Sequence, residues 1–362
     1  MKMKKTLALT LVLAVGVMTV GCGSSGGTGG AGTTAADAKK ETVQETKEAG
    51  TSKNAADDKV YELKLAHIYA ADHPFNIGVQ QIVDEIAEKT DGHVKINVFP
   101  AAQLGAETDE INNILAGSID IAILGIGEVG KYVNDFNVYE APYVFRDCDQ
   151  AMRAINSDVM APYYEKVSEN GFNILTSFYY GVRNLTCNRA VDSPKDTEGM
   201  KIRVPDHTIP TYIAQYVFKA NATPMSLSEV YLALQQGVVD GQENPIPTIY
   251  AQKFYEVCNY INLTQHQITI CPVIIGNTVL DKLPEEYAAV VEDCFKRGTE
   301  TVNQLVLDAE EEQLQVMIDE GVQVHEPGDK QAFIDAAGDV VKACESEGQW
   351  SEGLYEKLQS VE

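Results

Sequence analysis

From Val60 onward the apolar positions fall into two rhythms. "VYELKLAHI" (60–68) alternates with period two, as a strand with one covered face does, and "VKINVFP" (94–100) predicts the next strand. Between them "IGVQQIVDEIAEKTDGH" sets Val79, Ile82, Val83 and Ile86 on one helical face, with Gly92 just past the end. "ETDEINNILAGSI" predicts a short helix closed by Gly117, and "IDIAILG" is a nearly unbroken apolar strand of the kind covered on both faces. This β-α-β-α-β order predicts a parallel sheet flanked by helices, with ligands at the carboxyl ends of its strands.

A second set of elements follows. "FNILTSFYY", "MKIRVP" and "ITICPVIIG" read as strands. "TPMSLSEVYLALQQG" reads as a helix: Ser226 and Glu229 have capping-box spacing, and Leu227, Val230, Tyr231 and Leu234 form an i, i+3, i+4, i+7 stripe that stops at Gly237. "EYAAVVEDCFKRGTETVNQLVLDAEEEQLQVMIDEG" is helical for some thirty residues, in one piece or two. The pattern fits an α/β protein of two lobes joined by crossing strands, and a cleft between lobes is the usual seat of a small ligand. No solenoid-length repeat is present.

Composition narrows the partners. The chain has 362 residues and a formal net charge of −25, with 28 basic against 53 acidic side chains and no basic block, which argues against nucleic acid. So acidic a shell repels dissolved anions at long range, so any anion site must be local, dry and lined by particular arginines. Arg183 in "GVRN" and Arg203 in "KIRVP" leave strand-like segments and are the candidates. Guanidinium is planar and permanently charged, and its parallel N–H donors suit two-pronged capture of a carboxylate better than lysine does.

The N-terminus carries Lys2, Lys4 and Lys5, then fifteen mostly apolar residues from Thr6 to Val20, then Gly21 and Cys22. Fifteen residues rise about 22 Å as helix, short of a roughly 30 Å hydrocarbon core, so residues 1–21 read as a signal peptide. "TVGC" resembles the lipobox of bacterial lipoproteins, which makes Cys22 the expected lipidation site, with ordinary secretion and nearby cleavage as the alternative. Residues 22–59, with a single Val and no aromatic after Cys22, predict a disordered tether. The remaining cysteines (148, 187, 258, 271, 294 and 344) show no C-x-x-C, and the six histidines are scattered, so no metal site is expected. Buried free thiols are expected ahead of disulfides.

"EVYLALQQGVVDGQENP" (229–245), preceded by "KIRVP" and followed by "QKFYEVCNYINLTQH", closely resembles the extracytoplasmic solute-binding subunit of TRAP transporters (the DctP family), which import organic acids on an ion gradient. The resemblance runs from 60 to about 345 and takes in "FPAAQLGAE" and "LPEEYAAVVED". It implies a periplasmic-binding-protein-like fold of two α/β lobes, hinged by strands and by a long helix that spans both. On that basis lobe I comprises 60–180 plus 270–309, and lobe II 181–269 plus 310–362. It also implies that Arg203 salt-bridges the substrate carboxylate, that Arg183 is a second arginine toward it, that Asn244 supports it, and that Glu107 reaches the ligand from the other lobe. Leu227 falls where sugar-acid binders often carry an aromatic. At Gly125 and Ile68 the chain departs from the sialate binders, which carry a carboxylate and an amide there.

Competing readings accompany each of these residues. A strand-end arginine is commonly a surface ion-pair partner, and Asn244 also fits a structural turn amide. His67 and His73 lie where a loop would line a cleft, beside the option of a structural role. One of Tyr179 and Tyr180 faces the core and the other can stack on the ligand, and the sequence does not decide which; Tyr180 is carried as the site candidate. The apolar stripe on 227–234 is mainly core. For function, the resemblance implies capture of an organic acid and its delivery to a membrane permease by a monomeric receptor without cofactor or catalysis. A small Gly125 tips the ligand toward a sugar acid (uronate, aldonate or keto-acid), with a C4-dicarboxylate as the alternative. A secreted hydrolase or a metal- or chelate-binding lipoprotein is more remote, since no G-x-S-x-G, H-E-x-x-H or Cys–His constellation is present.

Overall fold

The computed structural model describes residues 59–362; the signal-peptide, lipidation and tether readings, apart from the tether's last residue Lys59, lie outside them. Among the described residues the strands are β1 (Tyr61–His67), β2 (Val94–Phe99), β3 (Ile121–Ile123), β4 (Phe172–Cys187), β5 (Lys201–Val204), β6 (Asn221–Pro224), β7 (Gly241–Pro245), β8 (Tyr260–Gly276) and β9 (Gln323–His325). They form one sheet in the order β2-β1-β3-β8-β4-β7-β5-β6, with β9 added beside β8.

The parallel sheet read from the sequence exists at the two ends, and β9 adds a short parallel pair to the central strand β8. Parallel pairs join β1 to β2 and β3, and β5 to β6 and β7. Antiparallel pairs join β3 to β8, β8 to β4 and β4 to β7. The reason is length. β4 and β8 extend over 16 and 17 residues, well past the apolar runs that announced them, and so serve both ends of the sheet. Local periodicity marks a strand but not a crossing of this kind, because pairing partners are distant in sequence.

Helix α1 (Pro74–Lys89) buries Val79, Ile82, Val83 and Ile86 as its spacing requires, and ends before Gly92, whose φ is +78°. The helix α2 (Glu107–Leu115) ends before Gly117 at φ +73°. Helix α3 (Ile126–Gly130) follows β3. The 226–236 segment is a 3-10 turn, Leu227–Glu229, leading into a helix, Val230–Gln235, with the Ser226 N–H donating to Glu229 Oε2 at 3.1 Å. The long C-terminal pattern is one unbroken helix of 35 residues, Glu285–Asp319.

That long helix packs against α1 at one end and against the helix Ile246–Ala251 toward the other. Glycine makes the first approach possible. A Cβ on Gly78 would lie 2.6 Å from Val302 Cγ2, and one on Gly298 would lie 2.4 Å from Ile82 Cγ1. The same helix is hydrogen-bonded to β4: Asn303 Oδ1 accepts from the Tyr179 N–H at 2.7 Å, and Glu310 Oε1 from the Val182 N–H at 2.8 Å. Between them the β4–β8 register shifts, at Tyr179/Gly181. Gly181 sits at φ +128°, and a Cβ there would meet Pro245 Cβ at 2.6 Å, so no other residue fits this crossing.

A large apolar core covers the faces of the sheet, and a smaller cluster around Val230, Ile249, Phe254, Ile261 and Met317 lies under one end. The six described cysteines are free thiols, five of them buried. No helix among the described residues is long and apolar enough to cross a membrane.

Candidate functional site

Ile68 and Tyr69 follow β1, Gly125 follows β3 and Pro205 follows β5, so the carboxyl ends of parallel strands from both halves of the sheet converge. There they line a cavity with Arg183 and Tyr180 from β4, Asn244 from β7, and Thr269 and Cys271 from β8. A second cavity continues it, sharing Ile68, Glu107, Arg203, Pro205, His207 and Leu227 and adding Thr108, Glu128, Ser226 and Ser228. The strand order β4-β7-β5 is what brings residues sixty positions apart into one wall.

The two arginines are both buried but electrostatically unlike. Arg183 is charge-compensated, although its Nη1 has no hydrogen-bond partner among the described residues. Its Nε donates to Glu243 Oε2, and its Nη2 donates to Glu243 Oε1 and to the Glu243 carbonyl, both at 2.8 Å. His266 Nε2 stands 3.2 Å from the same carboxylate. Burial opposes the charge on Arg183, but the Glu243 carboxylate and its hydrogen bonds more than restore it and hold its pKa above the ordinary value. Burial likewise opposes the Glu243 carboxylate, and Arg183 with His266 brings it down to about 2. Arg203 has no such partner. Its Nε and Nη2 donate to one backbone carbonyl, Met225 O, at 3.0 and 2.7 Å, and among the described residues it forms no salt bridge. Burial, only partly offset by the more distant Glu243, draws its pKa down to about 10. It is a cation at neutral pH, 3% exposed and short of counter-charge.

The other sequence candidates fall into two groups. Tyr180, Asn244, Glu107 and Leu227 line the cavities with the arginines. Tyr180 Oη donates to Asn244 Oδ1 at 3.1 Å, and Asn244 Nδ2 donates to Gln242 Oε1 at 2.5 Å. Tyr179 instead donates its hydroxyl to Glu310 on the long helix, which separates the two tyrosines. Glu107 opens α2 and its Oε1 accepts from the Gly125 N–H at 2.6 Å. Burial first, then the Glu128 charge, raises its pKa. The space that a glycine at 125 appeared to leave for ligand is thus partly taken by Glu107, whose Oε1 would stand 3.3 Å from a Cβ there.

His67 and His73 do not line either cavity. His67 Nε2 pairs with Asn76 Oδ1 at 3.2 Å, and His73 Nδ1 accepts from the Phe75 N–H at 3.1 Å as the cap of α1. Burial lowers their pKa values to about 4 and about 3, so both are neutral. His73 still reaches the site indirectly, through Thr248 (3.3 Å) to Tyr180 (2.8 Å).

Sequence reasoning missed three features. Glu243 and His266 complete the Arg183 cluster; the adjacency of Glu243 to Asn244 in "GQENP" was the available sign. Tyr69, Thr269 and Cys271 line the cavity from positions that a strand pattern reads as core. Third, His207 bridges two carboxylates, Nε2 to Glu128 Oε1 at 2.9 Å and Nδ1 to Glu140 Oε1 at 3.2 Å.

Residues 65–347 match the family of bacterial extracellular solute-binding proteins, family 7 (DctP). The chain belongs to this family. Among DctP-family relatives, the sialic acid-binding periplasmic protein SiaP of Vibrio cholerae is 32% identical over 74% of this chain and 83% of its own. A TRAP periplasmic solute-binding protein of Roseobacter denitrificans, solved with bound β-D-glucuronate, superposes with a TM-score of 0.79 at 26% identity, covering 83% of this chain and all of that one. Another, from Actinobacillus succinogenes with bound L-galactonate, gives 0.78 at 29% identity over 83% of this chain and 98% of its own. The chain is accordingly a TRAP-type extracytoplasmic solute-binding protein with the two-lobed fold of that family.

Proposed function

We propose that this receptor captures a sugar acid, a uronate, aldonate or keto-acid, by its carboxylate on Arg203 and carries it to a TRAP permease. The supporting observation is the inequality of the two arginines: Arg183 is neutralised by Glu243, whereas Arg203 is buried in the same cavity wall with only a backbone carbonyl. A carboxylate docked on Arg203 supplies the missing counter-charge. Arg183 then acts at close range, 5.8 Å from the centroid of the Tyr180 ring, as a cation already paired with Glu243 that adds field to the pocket. The opposite wall offers Glu107, Thr108 and Glu128, and Ser226 and Ser228 lie beside Arg203; all suit hydroxyls. Glu107, whose carboxylate accepts only from the Gly125 N–H and has no cationic partner among the described residues, disfavours a second ligand carboxylate, and this favours sugar acids over C4-dicarboxylates. The relatives solved with glucuronate and galactonate agree with that preference.

In this reading Arg203, Asn244 and Leu227 belong to lobe II (181–269 plus 310–362) and Glu107 to lobe I (60–180 plus 270–309). The ligand bridges the lobes and its greater affinity for the closed form drives closure. The receptor binds without catalysing, acts as a monomer, and is held to the outer face of the cytoplasmic membrane by a lipid on Cys22. Isothermal titration against uronates, aldonates and C4-dicarboxylates tests the proposal. A sugar acid binds, and Arg203→Ala loses several kcal/mol of affinity; an unchanged Kd in that variant overturns the assignment.

A further inference from the structure

The His207 bridge spans the cleft. His207 follows β5, while Glu128 lies on α3 and Glu140 closes the 3-10 segment Asn134–Glu140, both beyond the opposite end of the sheet. The three side chains are 7%, 3% and 6% exposed, and His207 lines both cavities. Each ring nitrogen faces a carboxylate oxygen at hydrogen-bond distance. Ionised carboxylates only accept, so a neutral imidazole, with one N–H, satisfies one of them and turns a lone pair on the other. The arrangement needs one proton more than a neutral histidine between two carboxylates carries.

We propose that His207 is a positioning residue for ligand capture: a clasp that draws Glu128 and Glu140 across the cleft on closure, taking one proton from solvent onto its second ring nitrogen. The inference rests on the reading of the cleft as a ligand site that closes. Its geometry is built in at Gly127, where a Cβ would lie 2.2 Å from His207 Nδ1 and 2.6 Å from Glu140 Oε2. The spare oxygen, Glu140 Oε2, is buried with no hydrogen-bond partner among the described residues, so nothing else holds that carboxylate. Other charged or titratable groups around the clasp are Lys131, which donates to Glu128 at 2.6 Å, Glu110 and Tyr132 near the same carboxylate, Arg183 in the cavity with Glu140, Glu107 and Arg203 across the cavity, and Asp206 and Tyr212 beside it. Burial opposes the imidazolium, but the Glu140 charge and the two hydrogen bonds outweigh it and raise the pKa to about 10 in the closed form.

The sign follows. A group whose pKa rises on closure favours the closed form fully below its open-state value, near 6.5, and loses that contribution as pH climbs toward about 10. Ligand affinity is therefore level at acid pH and weakens by up to about tenfold per pH unit above 7. The test is calorimetric titration with D-glucuronate and L-galactonate at pH 8, in buffers of different ionisation enthalpy. Between half and one proton is taken up per ligand by the wild type. His207→Gln takes up none and its affinity no longer varies between pH 7 and 9. Gly127→Ala retains every titratable group but forces the clasp apart, and also loses the uptake. No proton uptake by the wild type, or a variant His207→Gln with unchanged affinity and unchanged pH profile, overturns the clasp. If neither sugar acid binds, it is the ligand reading that fails. The imidazole titration of His207 by NMR then decides, read without ligand and again with whichever of succinate, D-galacturonate and D-erythronate raises Tm: a midpoint that climbs by more than one pH unit on binding supports the clasp and an unchanged midpoint refutes it.

Discussion

Replacing each buried arginine by methionine separates a structural cation from a ligand-binding one. Arg183→Met removes the partner of a buried carboxylate, leaving Glu243 with His266 alone and breaking three hydrogen bonds. Breaking such a pair from one side costs about 3–5 kcal/mol. At about 2 °C per kcal/mol for a folded body of this size, Tm falls by roughly 6–10 °C. Arg203→Met behaves differently. Two hydrogen bonds to Met225 O are lost, a cost of about 1–3 kcal/mol. Against this, a cation whose pKa has been drawn from 12.5 to about 10 is removed, a relief of about 3 kcal/mol as an upper limit. The two nearly cancel, so ligand-free Tm stays within about 3 °C of wild type while sugar-acid binding is lost. Differential scanning calorimetry without ligand, paired with titration of D-glucuronate, reads both. If Arg203→Met unfolds earlier than Arg183→Met, Arg203 is the structural cation and the reasoning is wrong.

Two further outcomes follow from the same packing. Glu243 has a folded pKa depressed to about 2, so its contribution is complete above the ordinary value of 4.5 and disappears as pH falls through 2; Glu243→Gln should flatten the acid limb of stability over that window, as urea unfolding at pH 3 and pH 6 will show. Gly78→Ala, although alanine is the better helix former by up to about 1 kcal/mol, should lose about 1–3 kcal/mol of stability in urea titration, because its Cβ meets Val302 on the long helix at 2.6 Å.

Much of this architecture was legible from local pattern. The stripe Val79–Ile82–Val83–Ile86 and the stop at Gly92 define α1 because a helix with one buried face has no other way to arrange those residues. The centre of the sheet was not legible. β4 and β8 continue through Arg183, Asn184 and Gln267, polar residues that break an apolar run yet are buried where the strands pass the site. In the site, the two arginines and Asn244 were candidates from residue type and resemblance and share one cavity, but the difference between the arginines was not legible. That difference depends on Glu243 and His266, brought to Arg183 by the pairing of β4 with β7 and β8. His67 and His73 were misleading for a related reason: they sit at a strand end facing the cleft region, but their rings turn into the core, where Asn76 and Phe75 N–H hold them. The Glu128–His207–Glu140 bridge joins segments some 70 residues apart, and only Gly127 hints at it in the sequence.

The central claim is that the uncompensated guanidinium of Arg203 receives the ligand's carboxylate, and a crystal structure of the receptor saturated with D-glucuronate tests it most directly. The account predicts both carboxylate oxygens on the Arg203 Nη atoms at about 2.7–2.9 Å, the sugar hydroxyls toward Glu107 and Ser226, and Arg183 still on Glu243. A carboxylate seated on Arg183 with the Glu243 pair broken, or a ligand reversed with its acid group beside Glu107, would contradict it.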